Sequence, residues 1–291
     1  MITGKFDYYA PRSLPDAVAL LQEHGYDAKI LAGGQSLIPA MRFRLTLAPV
    51  LIDINEIDGL GYVRESDGYL AIGAMTREST LEESSLVQSR YQMLADATAV
   101  IADPLVRNRA TVGGNLAHAD PANDHPAVML AYNAELVVLG PGGTRTIAID
   151  SFFTGLFETT LESNEILTEI RIPTPRAGSG GAYVKVERKV GDYAVSAVAA
   201  QLDMDGDRCT AARIALTNVS PVPMRAKGAE RALVGQRISD DVLEAAGQAA
   251  AAECDPSPDL RGSVAYKRDL TRVVTKRAVK KAIARAKGGE R

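Results

Sequence analysis

The sequence places AGGQS at residues 32–36, directly after a short apolar run, and a second glycine pair in TVGGN at residues 111–115. The run Lys29–Ala32 predicts a strand before the first pair, and the residues after that pair predict a helix. Leu51–Ile54 predicts the next buried strand. Because two strands joined by a helical crossover favour parallel pairing, the start of the chain indicates an α/β fold.

Both glycine pairs are predicted to form tight turns with accessible backbone N–H groups, because glycine has no Cβ. Such turns form anion-binding concavities, and the first one also precedes a helix N-terminus. Ser36, Thr111 and Asn115 add side-chain donors. Two converging turns could hold both phosphates of a dinucleotide; the alternative is that both are ordinary turns.

Several common nucleotide-binding and catalytic motifs are absent from the sequence. The GLG at 59–61 lacks the third glycine of G-x-G-x-x-G, no P-loop motif occurs, and Ile38 replaces the second glycine of a nucleophile elbow. Rossmann dehydrogenases, P-loop NTPases and α/β-hydrolases are therefore poor interpretations. Cys209 and Cys254 are too few for a disulfide framework, a four-thiolate iron–sulfur cluster or a cysteine-type zinc site.

Glycine and proline residues also divide the chain into parts. The turn GPGG at 140–143 lies between two apolar runs and predicts a hairpin, and Ile166–Ile172 predicts a further strand. Later strands are expected near 182–187, 196–204 and 210–218, and later helices at about 224–233, 240–253 and 264–285. We predict an N-terminal α/β subdomain at 1–56, a middle subdomain at 57–173, a linker at 174–181 and a C-terminal domain at 182–291.

A polar cluster after the second glycine pair contains His118, Asp120, Asp124 and His125. His and Asp are metal ligands, but Pro121 interrupts a common helical face and the spacing does not match a metal site. Asp120 and Asp124 could instead accept hydrogen bonds from ligand hydroxyls. Helix capping is the alternative for Asp124.

A third cluster places Lys185, Arg188, Lys189 and Tyr193 around the first strand and turn of the C-terminal domain. It combines positive charge with one aromatic ring. A solvated, charged strand end is the alternative interpretation for each of these residues.

Positive charge is concentrated at the C-terminus. The net charge of the chain is −3, whereas residues 261–291 carry 11 Lys and Arg against 2 Asp and Glu. Apolar residues at helical intervals favour an amphipathic, docked helix over a nucleic-acid-binding tail. No apolar run has the roughly 20 residues of a transmembrane helix, and the N-terminus lacks the apolar core of a signal peptide. A cytoplasmic protein is therefore expected.

The order and spacing of several motifs resemble the FAD-binding medium subunits of molybdenum hydroxylases over essentially the whole chain. These motifs are the two glycine pairs, ADPANDHPA at 119–127, NEILTEIRIP at 164–173, RKVGDYA at 188–194 and GSVAYKRDLTRVVTKRAV at 262–279. The resemblance implies that the N-terminal and middle α/β parts hold FAD between them. It also implies a C-terminal domain with a three-stranded antiparallel sheet and helices, which covers the flavin ring.

The resemblance further implies which residues bind FAD. Asp120 and Asp124 would lie along its ribityl or ribose hydroxyls, and Leu167 would pack near the isoalloxazine. Lys185 would lie close to the cofactor, where its charge would favour reduced FAD, and Tyr193 would place its ring against the flavin. The glycine motifs would hold the pyrophosphate through the set Ala32, Gly33, Gly34, Gln35, Ser36, Leu37, Thr111, Gly113, Gly114 and Asn115.

The activity implied by the resemblance is that of an oxidoreductase subunit that transfers electrons. Substrate would be oxidised at a molybdenum cofactor on a large subunit, and electrons would pass through [2Fe-2S] clusters on a small subunit to FAD. An external acceptor, a quinone or NAD, would then receive them. A dimer of heterotrimers without nucleic acid is implied, and the basic C-terminal helix is a candidate docking surface. No catalytic side chain and no metal ligand is implied, and the roles of His118 and His125 stay open.

Carbon monoxide is the substrate of first choice, with an aromatic N-heterocycle, an aldehyde or an aryl-CoA as alternatives. Two other classes of function stay open: a self-contained flavin oxidase or reductase, and a nucleotide-binding scaffold subunit without redox activity. Association with the inner face of the membrane through the complex is the alternative to a freely cytoplasmic protein.

Overall fold

A computed structural model describes residues 2–289 of the chain. The elements of its N-terminal part are β1 (Asp7–Tyr9), α1 (Leu14–His24), β2 (Ala28–Leu31), α2 (Leu37–Arg42) and β3 (Val50–Asp53). The strands form a parallel sheet in the order β1–β3–β2. Ser13 caps α1, because its hydroxyl accepts the N–H of Asp16. The parallel pairing of β2 with β3 confirms the predicted α/β unit.

The middle part is an antiparallel sheet with helices. Its elements are β4 (Val63–Ser66), β5 (Tyr69–Gly73), α3 (Glu78–Glu83), α4 (Ser85–Arg90), α5 (Gln92–Thr98), α6 (Pro104–Arg107), α7 (Val112–His118), α8 (Asp124–Tyr132), β6 (Glu135–Gly140), β7 (Gly143–Ala148), β8 (Phe153–Gly155), β9 (Glu158–Thr159) and β10 (Ile166–Pro173). The main sheet has the order β4–β5–β10–β6–β7. Strands β6 and β7 pair directly, which confirms the predicted hairpin.

The C-terminal part is a second antiparallel sheet covered by helices. Its elements are β11 (Ser179–Glu187), β12 (Ala194–Asp205), β13 (Arg208–Thr217), β14 (Met224–Arg225), α9 (Lys227–Leu233), α10 (Asp240–Glu253) and α11 (Val264–Ala286). The sheet has the order β11–β12–β13–β14. The three long strands are the predicted ones, and β14 adds a two-residue edge strand.

Two predicted boundaries in this part are wrong. Residues 179–181, assigned to the linker, belong to β11 and pair with β12. Gly180 is glycine for packing rather than for flexibility, because a Cβ on it would lie 2.1 Å from the carbonyl oxygen of Ala282 in α11. Met224–Arg225, assigned to a helix, pairs with β13, and α9 begins only at Lys227.

Strand β12 joins the middle and C-terminal parts through its two faces. Ala197 and Ala199 belong to the core of the middle part, together with the residues of α8. Val198 and Ala200 belong to the core beneath α10 and α11. Because successive side chains of a strand point to opposite faces, one strand can contribute to both cores. The C-terminal sheet is thereby packed against the middle part.

Most basic side chains of α11 form ion pairs with acidic residues of the same chain. Arg272 and Lys276 bind Glu244 of α10, and Lys281 and Arg285 bind Asp96 of α5. The cations of this region with an acidic partner within 4.0 Å are Arg261, Lys267, Arg268, Arg272, Lys276, Lys280, Lys281, Arg285 and Lys287. The helix is docked, as predicted, and offers less free charge to a partner than composition indicates.

Across residues 2–289, no helix combines the length and the apolar character needed to cross a membrane.

Candidate cofactor site

The two glycine motifs lie side by side in the fold. Gly33 follows β2 and packs against the chain just before α7, where a Cβ on Gly33 would lie 2.2 Å from the carbonyl oxygen of Arg109. Gly114, in the first turn of α7, faces Ala32: a Cβ on Gly114 would lie 3.8 Å from that of Ala32. Only glycine fits at position 33, because any side chain would overlap backbone atoms. The two motifs that the sequence singles out therefore converge.

A polar clasp holds the two motifs together. Asn55 donates from Nδ2 to the carbonyl oxygen of Ala32 (2.8 Å). The Arg77 guanidinium donates to Oδ1 of Asn55 (2.6 Å) and to the carbonyl oxygen of Arg109. Neither Asn55 nor Arg77 was predicted. The available signal was the position of Asn55 just beyond the carboxyl end of β3, the edge at which parallel sheets bind ligands.

The first motif presents backbone donors at the start of α2. Gly34 has a left-handed φ of +72°, which turns the chain into the helix. Within residues 2–289, the N–H groups of Gln35, Ser36 and Leu37 donate to no protein acceptor. Free N–H groups at a helix N-terminus are the usual backbone arrangement for binding an anion.

The second motif is the first turn of a helix, so the predicted tight turn is wrong. Thr111 is the N-cap of α7, and its Oγ1 accepts the N–H of Gly114 (3.2 Å). Gly113 packs closely on the chain after β5, since a Cβ on it would lie 2.5 Å from that of Ala74. The cap and this packing stabilise a helix where the glycine content favours a turn. Oδ1 of Asn115 is buried without a hydrogen-bond partner among the described residues, which is unusual for a buried polar atom.

Asp120 and Asp124 follow α7 and differ in environment. Oδ1 of Asp120 accepts the N–H of Ala122 (2.9 Å) in a partly exposed turn. Asp124 is buried at the start of α8 and accepts hydrogen bonds from the Tyr183 hydroxyl (2.6 Å) and from Nζ of Lys185 (3.0 Å). Among residues 2–289 its carboxylate accepts no capping hydrogen bond from the backbone of α8, so the capping alternative is wrong. Burial raises the pKa of Asp124, and Lys185 opposes that rise.

Lys185 is a buried cation rather than a solvated one. Its Nζ donates to the carbonyl oxygen of Val100 (2.9 Å) and lies 3.0 Å from Asp124 and 3.5 Å from Glu187. Its side chain is only 3% exposed. The solvated-end alternative is therefore wrong for Lys185, whereas Arg188 and Lys189 are exposed as that alternative predicts. The charge of Lys185 is matched by two carboxylates.

Tyr193 belongs to the C-terminal part and Leu167 to the middle part. Tyr193 is 43% exposed on the loop between β11 and β12. Partial burial, followed by the negative charges of Asp120 and Asp124, raises the pKa of Tyr193, so the polar cluster and the ring are near one another. Leu167 is buried in β10, beside a bulge in its pairing with β6. The carbonyl oxygen of the neighbouring Thr168 accepts the N–H of Ala74, the residue on which α7 packs.

The two histidines of the polar cluster have partners. Nε2 of the buried His125 lies 2.7 Å from the buried Glu78 carboxylate. Burial disfavours the imidazolium, but Glu78 more than compensates and raises the pKa of His125. The ring of His118 lies 5.1 Å from that of Phe157, and burial lowers the pKa of His118. In the described part of the chain, no group of three or more His, Cys, Asp or Glu residues is arranged to hold a metal ion.

Comparison with known proteins identifies the family. A family model described as the FAD binding domain in molybdopterin dehydrogenase matches residues 4–175, and one described as the CO dehydrogenase flavoprotein C-terminal domain matches residues 181–282. The chain belongs to the flavoprotein subunits of the molybdenum hydroxylases.

Similarity to individual members extends over nearly the whole flavoprotein subunit. The chain is 46% identical over 285 residues to the carbon monoxide dehydrogenase medium chain of Hydrogenophaga pseudoflava, and the match covers 98% of this chain and 99% of the relative. Identity to the corresponding chain of Afipia carboxidovorans is 42% over 287 residues, with 99% and 100% covered. A solved carbon monoxide dehydrogenase from Hydrogenophaga pseudoflava that lacks the Mo-pyranopterin moiety superimposes with a TM-score of 0.96 and 48% identity, covering 98% and 99%. The predicted fold class and family are confirmed.

The cofactor of this flavoprotein subunit is FAD, and the residues around the two glycine motifs fit it. FAD has a pyrophosphate that needs closely spaced donors, and the free N–H groups of residues 35–37 supply them. The adjacent glycines allow a ligand to approach backbone directly. The unpartnered Oδ1 of Asn115 is an acceptor that a hydroxyl group of bound FAD would satisfy.

Proposed function

We propose that this flavoprotein subunit carries electrons from the [2Fe-2S] clusters of a small partner subunit to an external acceptor, a quinone or NAD, in a complex that oxidises carbon monoxide. Bound FAD supplies the redox chemistry, because a flavin exchanges electrons both singly and in pairs. Both relatives compared above are carbon monoxide dehydrogenase medium chains, which supports this substrate. The two cysteines of the chain are too few for a four-thiolate cluster, so the clusters belong to a partner.

The observation that carries the proposal is the meeting of the two glycine motifs at one donor-lined surface. There we assign the pyrophosphate to the N–H groups of residues 35–37, with the first turn of α7 packed beside them. The N–H groups of residues 112–115 already donate to acceptors within the chain. Gly33 and Gly114 keep the surface open, and the clasp of Asn55 and Arg77 fixes its two sides. The pyrophosphate set is Ala32, Gly33, Gly34, Gln35, Ser36, Leu37, Thr111, Gly113, Gly114 and Asn115.

From this surface the proposed site runs along the polar cluster to the junction with the C-terminal part. Asp120 is partly exposed and can accept a ligand hydroxyl, whereas Asp124 already binds Tyr183 and Lys185 and has one remaining acceptor direction on each oxygen. Leu167 and Tyr193 would bound the ring from the β10 side and the C-terminal side. Tyr193, being half-exposed, can offer its ring face to a flavin and exclude water from it.

We further propose that the subunit assembles with a large molybdenum-cofactor subunit and a small iron–sulfur subunit as a dimer of heterotrimers. The name of both relatives, medium chain, supports partners of two other sizes. The charge of α11 does not identify where these partners bind, because much of it is paired within the chain.

The test is to purify the full chain alone and together with its co-expressed partner subunits. We expect one FAD per chain in both preparations, and reduction of that FAD by carbon monoxide only when all subunits are present. A colourless chain that cannot be reconstituted with FAD would favour the scaffold alternative. Oxidation of a substrate by the chain alone would favour the self-contained oxidase. Reduction of the complete complex by an N-heterocycle or an aldehyde, and not by carbon monoxide, would reassign the substrate.

A further inference from the structure

Arg261 reaches the loop that carries Tyr193 from the other end of the C-terminal part. Its guanidinium carbon lies 5.7 Å from the centre of the Tyr193 ring, within the range of a cation–π contact. One terminal nitrogen of Arg261 donates to Oδ1 of Asp192 (2.6 Å). The side chains of Arg261 and Asp192 are 25% and 10% exposed, so solvent screens this pair less than a surface ion pair.

Arg261 is held in place by a turn built around Asp259. Oδ1 of Asp259 accepts the N–H groups of Arg261 (2.8 Å) and Gly262 (3.1 Å). The other oxygen of Asp259 accepts a hydrogen bond from Lys267 (2.9 Å), and this lysine is buried in α11 and also donates to the carbonyl oxygen of Ser257 (3.0 Å). Burying the charge of Lys267 costs desolvation free energy, and its hydrogen bonds to Asp259 and Ser257 in the turn offset that cost.

The loop bearing Tyr193 is fixed on its second side by the middle part. Gly191 has a φ of +80°, and a Cβ on it would lie 2.7 Å from the carbonyl oxygen of Ala102. Oδ1 of Asp192 also accepts the N–H of Tyr193 (2.9 Å). The backbone of residues 191–193 is therefore held between the middle part and Arg261, with the Tyr193 ring facing the Arg261 guanidinium.

We infer that Arg261 is a positioning residue for Tyr193 and that the Arg261–Asp192 ion pair sets the charge beside the flavin ring. The inference rests on the proposed contact of Tyr193 with FAD. Arg261 alone would stabilise the reduced flavin, and Asp192 alone would disfavour it. Arg188 also lies 3.8 Å from Asp192, but its side chain is 60% exposed, so Arg261 is the main partner of Asp192. Because Arg261 and Asp192 are paired, their charges largely cancel, and removing either one leaves the charge of the other less compensated.

The test uses FAD-loaded full-length chains at pH 7.5 and two readouts: the FAD reduction potential against equilibrating dyes, and the FAD dissociation constant. Arg261→Met should lower the potential and Asp192→Asn should raise it, each by about tenfold in the equilibrium between oxidised and reduced FAD, or about 30 mV for a two-electron couple. Arg261→Lys should return the potential toward the wild-type value. Arg272→Met is the matched control, since Arg272 of α11 is likewise paired with carboxylates, those of Glu244 in α10 and Asp269 in α11.

Opposite signs for the two variants are the diagnostic result, because simple disorder of the loop would shift the potential in the same direction in both. Shifts of the same sign, or a potential unchanged within the spread of Arg272→Met, would overturn the inference. If Arg261→Met does not retain FAD, Asp192→Asn and Arg261→Lys still decide the sign. A wild-type chain that does not bind FAD at all would instead overturn the proposed function.

Discussion

Replacing Lys185 by methionine tests the buried cation at the junction of the middle and C-terminal parts. Nζ of Lys185 lies 3.0 Å from Asp124, and the two side chains are 3% and 7% exposed. At an effective dielectric constant of about 20, such a pair interacts by about 5 kcal/mol. Methionine keeps most of the volume but leaves Asp124 buried and unpaired, which costs about 3–5 kcal/mol. For a chain of 291 residues we expect Tm to fall by roughly 5–8 °C.

The loss of stability in Lys185→Met should depend on pH through Asp124. Burial already raises the pKa of this carboxyl, and Lys185 opposes that rise in the wild type. Without Lys185, the folded-state pKa rises further above the unfolded value, so the ionised carboxylate destabilises the folded variant at neutral pH. Protonation removes that penalty. The difference in unfolding free energy between wild type and variant, from urea unfolding followed by circular dichroism, should therefore shrink as pH falls from about 7.5 to about 4.5.

Two further variants make this prediction specific. Lys189→Met removes an exposed lysine from the adjoining loop and should change the unfolding free energy by less than about 0.5 kcal/mol. The double variant Lys185→Met/Asp124→Asn should be more stable than Lys185→Met, because no charge is left buried and unpaired. Equal stability of Lys185→Met and Lys189→Met at pH 7.5, or a penalty that grows in acid, would refute the reasoning.

Three other changes test the site and its supports. Gly33→Ala should lower the FAD content, measured by absorbance, at least tenfold by forcing the two glycine motifs apart. Gly142→Ala is the control and should keep the wild-type FAD content, because a Cβ at residue 142 meets no atom within 4 Å. Equal FAD content in the two variants would contradict the close approach of Gly33 to Arg109. Tyr193→Ala should retain FAD but change its potential and its reactivity with acceptors, and unchanged spectra and kinetics would argue against ring contact. Asp96→Asn, which weakens the pairs with Lys281 and Arg285, should lower the unfolding free energy by about 2 kcal/mol. Asp240→Asn, at an exposed pair with Lys280, should leave the unfolding free energy nearly unchanged, and denaturant titration compares the two variants.

The sequence predicted those elements that are specified by a short stretch of neighbouring residues. The cap at Ser13, the strands on either side of the first glycine motif and the hairpin around residues 140–143 follow from capping, alternation and turn chemistry. The helix at residues 112–118 was missed, because two glycines favour a turn unless a cap and tertiary packing outweigh them. Thr111 supplies that cap, and Ala74 supplies that packing from a distant strand end.

The sequence predicted which residues form the site better than it predicted the contacts that bring them together. The resemblance to the family identified Gly33 and Gly114. Their proximity depends on the contact of Gly33 with Arg109, which no local sequence pattern indicates. Asn55 and Arg77 were missed because they touch main-chain atoms and carry no motif. Lys185 was placed near the cofactor, yet its burial and its two acidic neighbours depend on how β11 packs against the middle part.

The distribution of charge separates the two ends of the proposed site. At the glycine motifs, Arg77 and Arg109 lie near one another and outnumber Asp53, and burial together with the charge of Arg109 lowers the pKa of Arg77. A bound pyrophosphate would relieve that repulsion, so the phosphate end gains from net positive charge. At the ring end, Lys185 has two acidic partners, Asp124 and Glu187, and Arg261 has Asp192. In the proposed site these carboxylates offset the two cations, so Lys185 and Arg261 have little effect on the flavin potential while their partners are present. Substitution of one member should therefore change that potential more than the net charge of the chain would suggest.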